Sequence, residues 1–161
     1  MANNTKIKKN SLKKLQAQLK KAIRAKAKKV LPKILKRAII DDHILKGKSP
    51  VRGVGKFEKY SIRYTRLLSS GKFAPKKSTP VNLRLSGDML KSFEIKISDN
   101  GFSVNFDSEL AFYHQFGLGH LPARPLLPVF DGTKYTQAIT KEYDAALKKT
   151  VNSVSKNVKV K

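Results

Sequence analysis

The sequence predicts an α+β fold: a small antiparallel sheet with a β-hairpin packed against a C-terminal helix, plus a long basic N-terminal helix. Three observations predict it. Apolar residues recur at three- and four-residue steps across 5–45, the spacing of one helix face. On both sides of Asp99-Asn100-Gly101 they alternate with polar residues, the pattern of a hairpin with one covered face. A second helical stripe runs from Tyr135 to Val154. At 161 residues the chain is one domain with an arm. Its parts read as a basic helical arm (1–45), a basic loop-rich segment (46–80), an α/β body (81–155) and a flexible tail (156–161).

In the arm, Leu12, Leu15, Leu19, Ile23, Val30, Ile34 and Ile39 form the stripe and lysines fill most other positions. Asn10 or Ser11 suits an N-cap, Pro32 should kink or divide the helix near residue 31, and Gly47 is a stop. Glycines and prolines punctuate 46–80, with room for a short helix at 61–70. The aromatics there, Phe57, Tyr60, Tyr64 and Phe73, read as core, and the loop as ordered mainly by neighbouring subunits. Phe93, Ile95 and Ile97, then Phe102, Val104 and Phe106, make the two strands. Asn100-Gly101 supplies the positive φ angles of a tight turn. Asp107 or Ser108 caps a short helix that Gly117 ends, and 118–124 run extended as a third strand. The last stripe is Tyr135, Ile139, Tyr143, Ala146, Leu147, Val151 and Val154.

The net charge is +24, and it is unevenly placed. Residues 1–45 hold 14 Lys/Arg against 2 Asp, 46–91 hold 12 against 2 acids, and 92–161 hold 9 against 7. The excess therefore sits in the first half, which suggests a polyanionic partner there. Lys13, Lys14, Lys20, Lys21, Arg24, Lys28 and Lys29 are the candidate contacts, binding phosphates without sequence specificity. The competing reading is a solvated helix face. Zero cysteines remove disulfides and thiolate metal sites. No apolar run spans a bilayer, and the lysine-rich start does not read as a secretory signal, so no membrane partner is expected.

No enzyme, cofactor or metal is expected. His43, His114 and His120 lack a nearby acid or cysteine cluster, Gly-x-Ser-x-Gly is absent, and Gly53-Val54-Gly55-Lys56 lacks the Ser or Thr of a phosphate loop. Ser86 and Gly87 open a turn before Asp88-Met89-Leu90, where Ser86 or Asp88 can accept orphan N–H groups. His114 and Gln115 are expected to bond backbone at a corner, with Phe116 in the core and Gly117 at the helix C′ position. Pro122 and Pro125 stiffen the backbone around Arg124. Its guanidinium suits two-point contact with a carboxylate or carbonyls. Two readings stay open: Arg124 locks the turn of its own subunit, or it reaches a neighbour. On the second, Arg124→Ala leaves the subunit folded but impairs assembly.

Leu85-Ser86-Gly87-Asp88-Met89-Leu90-Lys91-Ser92-Phe93 and the later His114-Gln115-Phe116-Gly117 with Pro122-Ala123-Arg124-Pro125, in this order and spacing, resemble the phage virion morphogenesis proteins. These are small neck or tail-completion subunits that join a capsid to a tail. The resemblance covers about residues 80–150. The family pattern has Leu two places after the first glycine, where this chain has Met89. The resemblance implies a homo-oligomeric ring, hexameric or dodecameric, touching portal or adaptor proteins on one side and tail proteins on the other. It implies a virion location at the capsid–tail junction, with assembly in the host cytoplasm. Ser86, Gly87, His114, Gln115, Phe116, Gly117, Pro122, Arg124 and Pro125 then belong to subunit interfaces or to the structural frame. The alternative is a basic nucleic-acid-binding protein acting through its N-terminal arm, with non-specific DNA contact.

Overall fold

The computed structural model describes residues 2–71, 79–83 and 87–157, with side chains described from Ser11 onward. The order of elements is α1 (Ala2–Lys36), α2 (Ile62–Ser69), α3 (Asp88–Lys91), β1 (Phe93–Ser98), β2 (Gly101–Phe106), α4 (Glu109–Phe116) and α5 (Gln137–Asn157). The α+β class and the hairpin against the C-terminal helix are as the sequence predicts.

At ~1.5 Å per residue α1 is roughly 50 Å long. It runs unbroken through Asn10 and Ser11, neither of which caps it, and through Pro32. A proline inside a helix costs ~3 kcal/mol. Leu31 and Leu35 flank Pro32 and are fully buried, each contributing ~1.5–3 kcal/mol. Packing therefore outweighs the broken hydrogen bond, and the expected division at Pro32 does not occur. The departure from α geometry comes later, in a π turn at Arg37–Asp41. There the Asp42 N–H donates to the Arg37 carbonyl five residues back (3.1 Å). The wider turn carries three consecutive buried residues, Ala38, Ile39 and Ile40. Gly47, with φ 72°, stops the chain after the short 3-10 turn Ile44–Lys46.

α5 packs antiparallel on the second half of α1. Arg37 pairs with Glu142, and Lys26 donates to Ser153 eleven residues further along. The hairpin closes the third side. Its register sets Phe93 opposite Phe106, Ile95 opposite Val104 and Ile97 opposite Phe102, so the apolar members share one face. Phe93 and Phe106 meet edge to face at 4.9 Å, and Phe102 lies 5.1 Å from Tyr143 on α5. Leu35, Ile39, Ile44, Leu126 and Ile139 fill the centre.

Four expectations change. First, residues 27–45 are core and not an arm; only the part of α1 before about residue 21 extends past α5. Second, residues 47–60 are ordered by their own chain. Phe57 donates to the Gly47 carbonyl and Arg52 to that of Lys134 (both 2.8 Å), Val51 bridges Tyr135, and Phe57 is buried. Third, 118–124 form no strand among the described residues. The chain turns through His120 (φ 67°), and two prolines remove N–H donors a ladder needs. Fourth, the hairpin turn is Asp99-Asn100, and positive φ falls only on Gly101 (137°), the first residue of β2. The helix at 62–69, capped by the Ser61 hydroxyl accepting from the Tyr64 N–H, matches the reading. Phe73 and residues 158–161 lie outside the described residues.

Leu35→Ala should lower stability by ~2–5 kcal/mol in urea unfolding, whereas Leu12→Ala on the exposed end of α1 should change it by less than ~0.5 kcal/mol. A large effect of both would mean that the free end is also core. All five tyrosines have phenols raised above the ordinary value of 10.0, by burial at Tyr60, Tyr64, Tyr135 and Tyr143 and by a hydrogen bond to Glu109 at Tyr113. A phenol raised by folding contributes its stability in full below about pH 10 and loses it as pH climbs through the folded value. Phenolate absorbance of the folded chain should therefore lag that of the urea-unfolded chain; superimposed curves would contradict the packing described.

Candidate functional site

The two parts of the second motif, residues 114–117 and 122–125, meet at a corner made by α4, the proline segment and the loop ahead of α2. Gly117 closes α4 in the left-handed region (φ 69°), its N–H donating to the Tyr113 carbonyl at 2.8 Å. A Cβ there would stand 2.9 Å from the Ala123 nitrogen. The chain thus returns directly over the glycine, and the Arg124 N–H donates to the His114 carbonyl at 2.6 Å.

Arg124 is 2% exposed. Its Nε donates to the Glu58 carbonyl (3.1 Å), and its Nη2 to the carbonyls of Glu58 (3.1 Å) and Lys59 (3.2 Å). The guanidinium carbon lies 5.3 Å from the Tyr60 ring centroid, a cation–π distance, and Nη1 sits 3.4 Å from His114 Nδ1. Burial lowers its pKa, while Tyr60 and Glu58 oppose that shift. This settles the two readings of Arg124 for its own subunit: it locks the corner with carbonyls, so a folded Arg124→Ala subunit is no longer the expectation.

Gln115 does the same for the following strand-like segment. Its Oε1 accepts from the N–H groups of Leu126 (2.7 Å) and Leu127 (2.9 Å), and its Nε2 donates to the Leu127 carbonyl (2.9 Å). Gln115 therefore bonds backbone at the corner, as predicted, while the His114 ring lies against the Arg124 guanidinium and its own carbonyl accepts the Arg124 N–H. Gly87 (φ 90°) starts α3, which places Met89 and Leu90 in the core, while Asp88 pairs with Lys91 at the surface. Ser86 lies outside the described residues.

Phe116 departs from expectation: it is 38% exposed and not core. α4 is inverted. It buries Ala111, His114 and Gln115 and exposes Leu110, Phe112 and Phe116. The cause is the corner itself, since the backbone of 123–127 needs the polar side. Phe112 and Phe116 stack at 4.7 Å and Phe116 meets Phe130 at 6.1 Å. Phe130 is 62% exposed. Sequence reasoning missed this patch, although His and Gln between two aromatics at i and i+4 were its signal.

The seven candidate cations of α1 are all exposed. At ~100° per residue they fall within about half the helix circumference. Arg24 is engaged with Asp99 at the hairpin tip. Lys48, Arg52 and Lys56 edge an open groove of about 690 Å³ beside His43 and Thr136. Among the described residues no group of three His, Cys, Asp or Glu gathers to hold a metal, and no helix is long and apolar enough to cross a membrane.

Arg124→Met should keep the packing but remove the donors, leaving two carbonyls without them. A loss of roughly 2–4 kcal/mol in urea unfolding is expected from charge-assisted bonds of this kind; a loss below ~0.5 kcal/mol would mean that the corner holds without its guanidinium.

No protein-family model, curated protein or solved structure matches the chain.

Proposed function

We propose that this chain is a structural subunit of a phage neck, assembling as a homo-oligomeric ring that joins the portal side of a capsid to its tail. The observation that carries the reading is the inverted helix α4. Buried polar groups hold the corner at residues 114–127, and the face of α4 they use leaves Phe112 and Phe116 outward, beside Phe130. A monomer gains nothing from an exposed aromatic row on its stiffest surface, whereas a repeated head-to-tail contact needs one. The order and spacing of the Ser86-Gly87 and His114-to-Pro125 motifs favour the neck over other rings. Hexamer or dodecamer, portal or adaptor on one face and tail proteins on the other, follow from that resemblance. The chemistry is assembly, without catalysis.

A second reading rests on the cationic side of α1: a nucleic-acid-binding protein holding phosphates non-specifically. Both readings share the DNA contact, since a neck ring surrounds the path of packaged DNA. Cryo-electron microscopy of purified particles containing this protein separates them. The expected result is a symmetric ring at the capsid–tail junction. Absence from particles, with DNA affinity that falls by orders of magnitude between about 50 and 200 mM salt, would transfer the assignment to the second reading.

A further inference from the structure

Two surfaces of the single chain are left uncovered, and their chemistries match. One is the free end of α1. Lys26 faces Ser153 and Arg37 faces Glu142, so Asn157, the last described residue of α5, lies opposite residue 22. Ahead of that point Leu12, Leu15 and Leu19 stand at i, i+3 and i+7, the anchor spacing of a helix that lies in a groove. Leu12 is 60% exposed. At ~100° per residue, Lys20 lies nearest this stripe, Lys13 and Lys14 lie about equally far from it on opposite sides, and Lys21 points further away.

The other surface is the aromatic row. Beside Phe112 and Phe116 runs an apolar groove of about 270 Å³, floored by Phe106, Leu126 and Leu127. No charged side chain lines it, and the segments that form it carry acids in a chain of net charge +24. Between Ile97 and Thr133 the sequence has four acids, and its single Lys or Arg is Arg124, whose charge is buried. Three of those acids, Asp107, Glu109 and Asp131, adjoin the groove-lining Phe106, the helix α4 and Phe130. All three are exposed, and among the described residues none is in an ion pair.

We propose that this aromatic groove receives the leucine stripe of α1 from a second copy of this chain. The inference rests on the reading of the chain as a self-assembling subunit and names the contact that closes the ring. Leu12, Leu15 and Leu19 enter the apolar row, and Lys13, Lys14 and Lys20, on either side of it, reach the neighbouring carboxylates across their aliphatic stems. The contact joins different surfaces of the two copies, so each subunit gives one helix end and receives one, and a closed ring leaves neither uncovered. Lys21 and Lys28 stay on the outer side of the docked helix, available to a polyanion. Charge argues for self over a foreign partner: the segments forming the groove carry acids, and the chain's own free helix carries the opposite sign.

The chain has no cysteine, so single thiols report the contact. Full-length Leu12→Cys and Phe130→Cys chains, each altered at a position about 60% exposed, are mixed in equal amounts and mildly oxidised. A disulfide needs Cα atoms within roughly 7 Å. Expected is a mixed cross-link several-fold above either homodimer, suppressed by Asp131→Lys in the groove chain and recovered by adding Lys20→Glu to the helix chain. A chain carrying both substitutions should give a ladder of oligomers. Predominant Leu12→Cys homodimers, an intrachain bridge in the double variant, or no cross-link would each overturn the docking. If a ring is still seen in particles, only the docking falls and the groove belongs to another neck component. If no ring is seen either, the neck reading falls with it.

Discussion

Everything in this fold answers to a shortage of backbone partners. The described sheet has two strands, too few to be stable alone, and the long loops at 47–60 and 118–136 pair only through isolated bridges. Buried backbone groups must nevertheless be satisfied. Four polar side chains do the work that strands would do elsewhere. Arg124 serves the carbonyls of Glu58 and Lys59, and Gln115 serves Leu126 and Leu127. Ser49 donates to the Pro125 carbonyl (2.6 Å) and accepts from the Val51 N–H (3.1 Å). His43 donates from Nδ1 to the Ala38 carbonyl (2.7 Å) and meets Thr136 at 2.9 Å through Nε2. These bonds tie the two loops to the turns after α1, to α4 and to each other, and the apolar core forms around them.

That constraint explains which parts of the molecule could be read from sequence. The hairpin register and the stripe of α5 were legible because each follows from a period of two or 3.6 residues facing one core. Gly47 and Gly117 were legible because left-handed helix ends favour glycine. The passage of α1 through Pro32 was not, since it depends on Leu31 and Leu35 finding partners distant in sequence. Nor was the absence of a third strand, because the N–H of Arg124 goes to His114 and not to β2. At the corner, the residues were legible and the roles of Gln115 and Gly117 followed, but the guanidinium partner of His114 and the direction of Phe116 did not. A local apolar pattern says which face of α4 is greasy, and only the needs of the neighbouring backbone say which face is inside.

The proposed role divides along the same line. The half of the chain bearing nearly balanced charge builds the rigid corner and its aromatic surface. The half bearing the positive excess supplies a helix whose second part is indispensable core and whose first part projects. Position and adhesion are thus encoded in one continuous rod: Leu31, Leu35 and Ile39 fix where its free end points, and Leu12 to Lys21 determine what it can touch.

The chemistry of the corner also sets its tolerance of environment. Arg124 is held by peptide carbonyls, which carry no net charge to lose, with the His114 imidazole beside it, and a guanidinium keeps its own proton across any biological pH. Buried contacts of this kind are screened little by dissolved ions. The surface ion pairs, such as Lys46 with Asp42, weaken with salt; the frame carrying the aromatic row does not share that sensitivity. A particle built from such subunits would change its electrostatic adhesion with the medium while the shape of each subunit stayed constant.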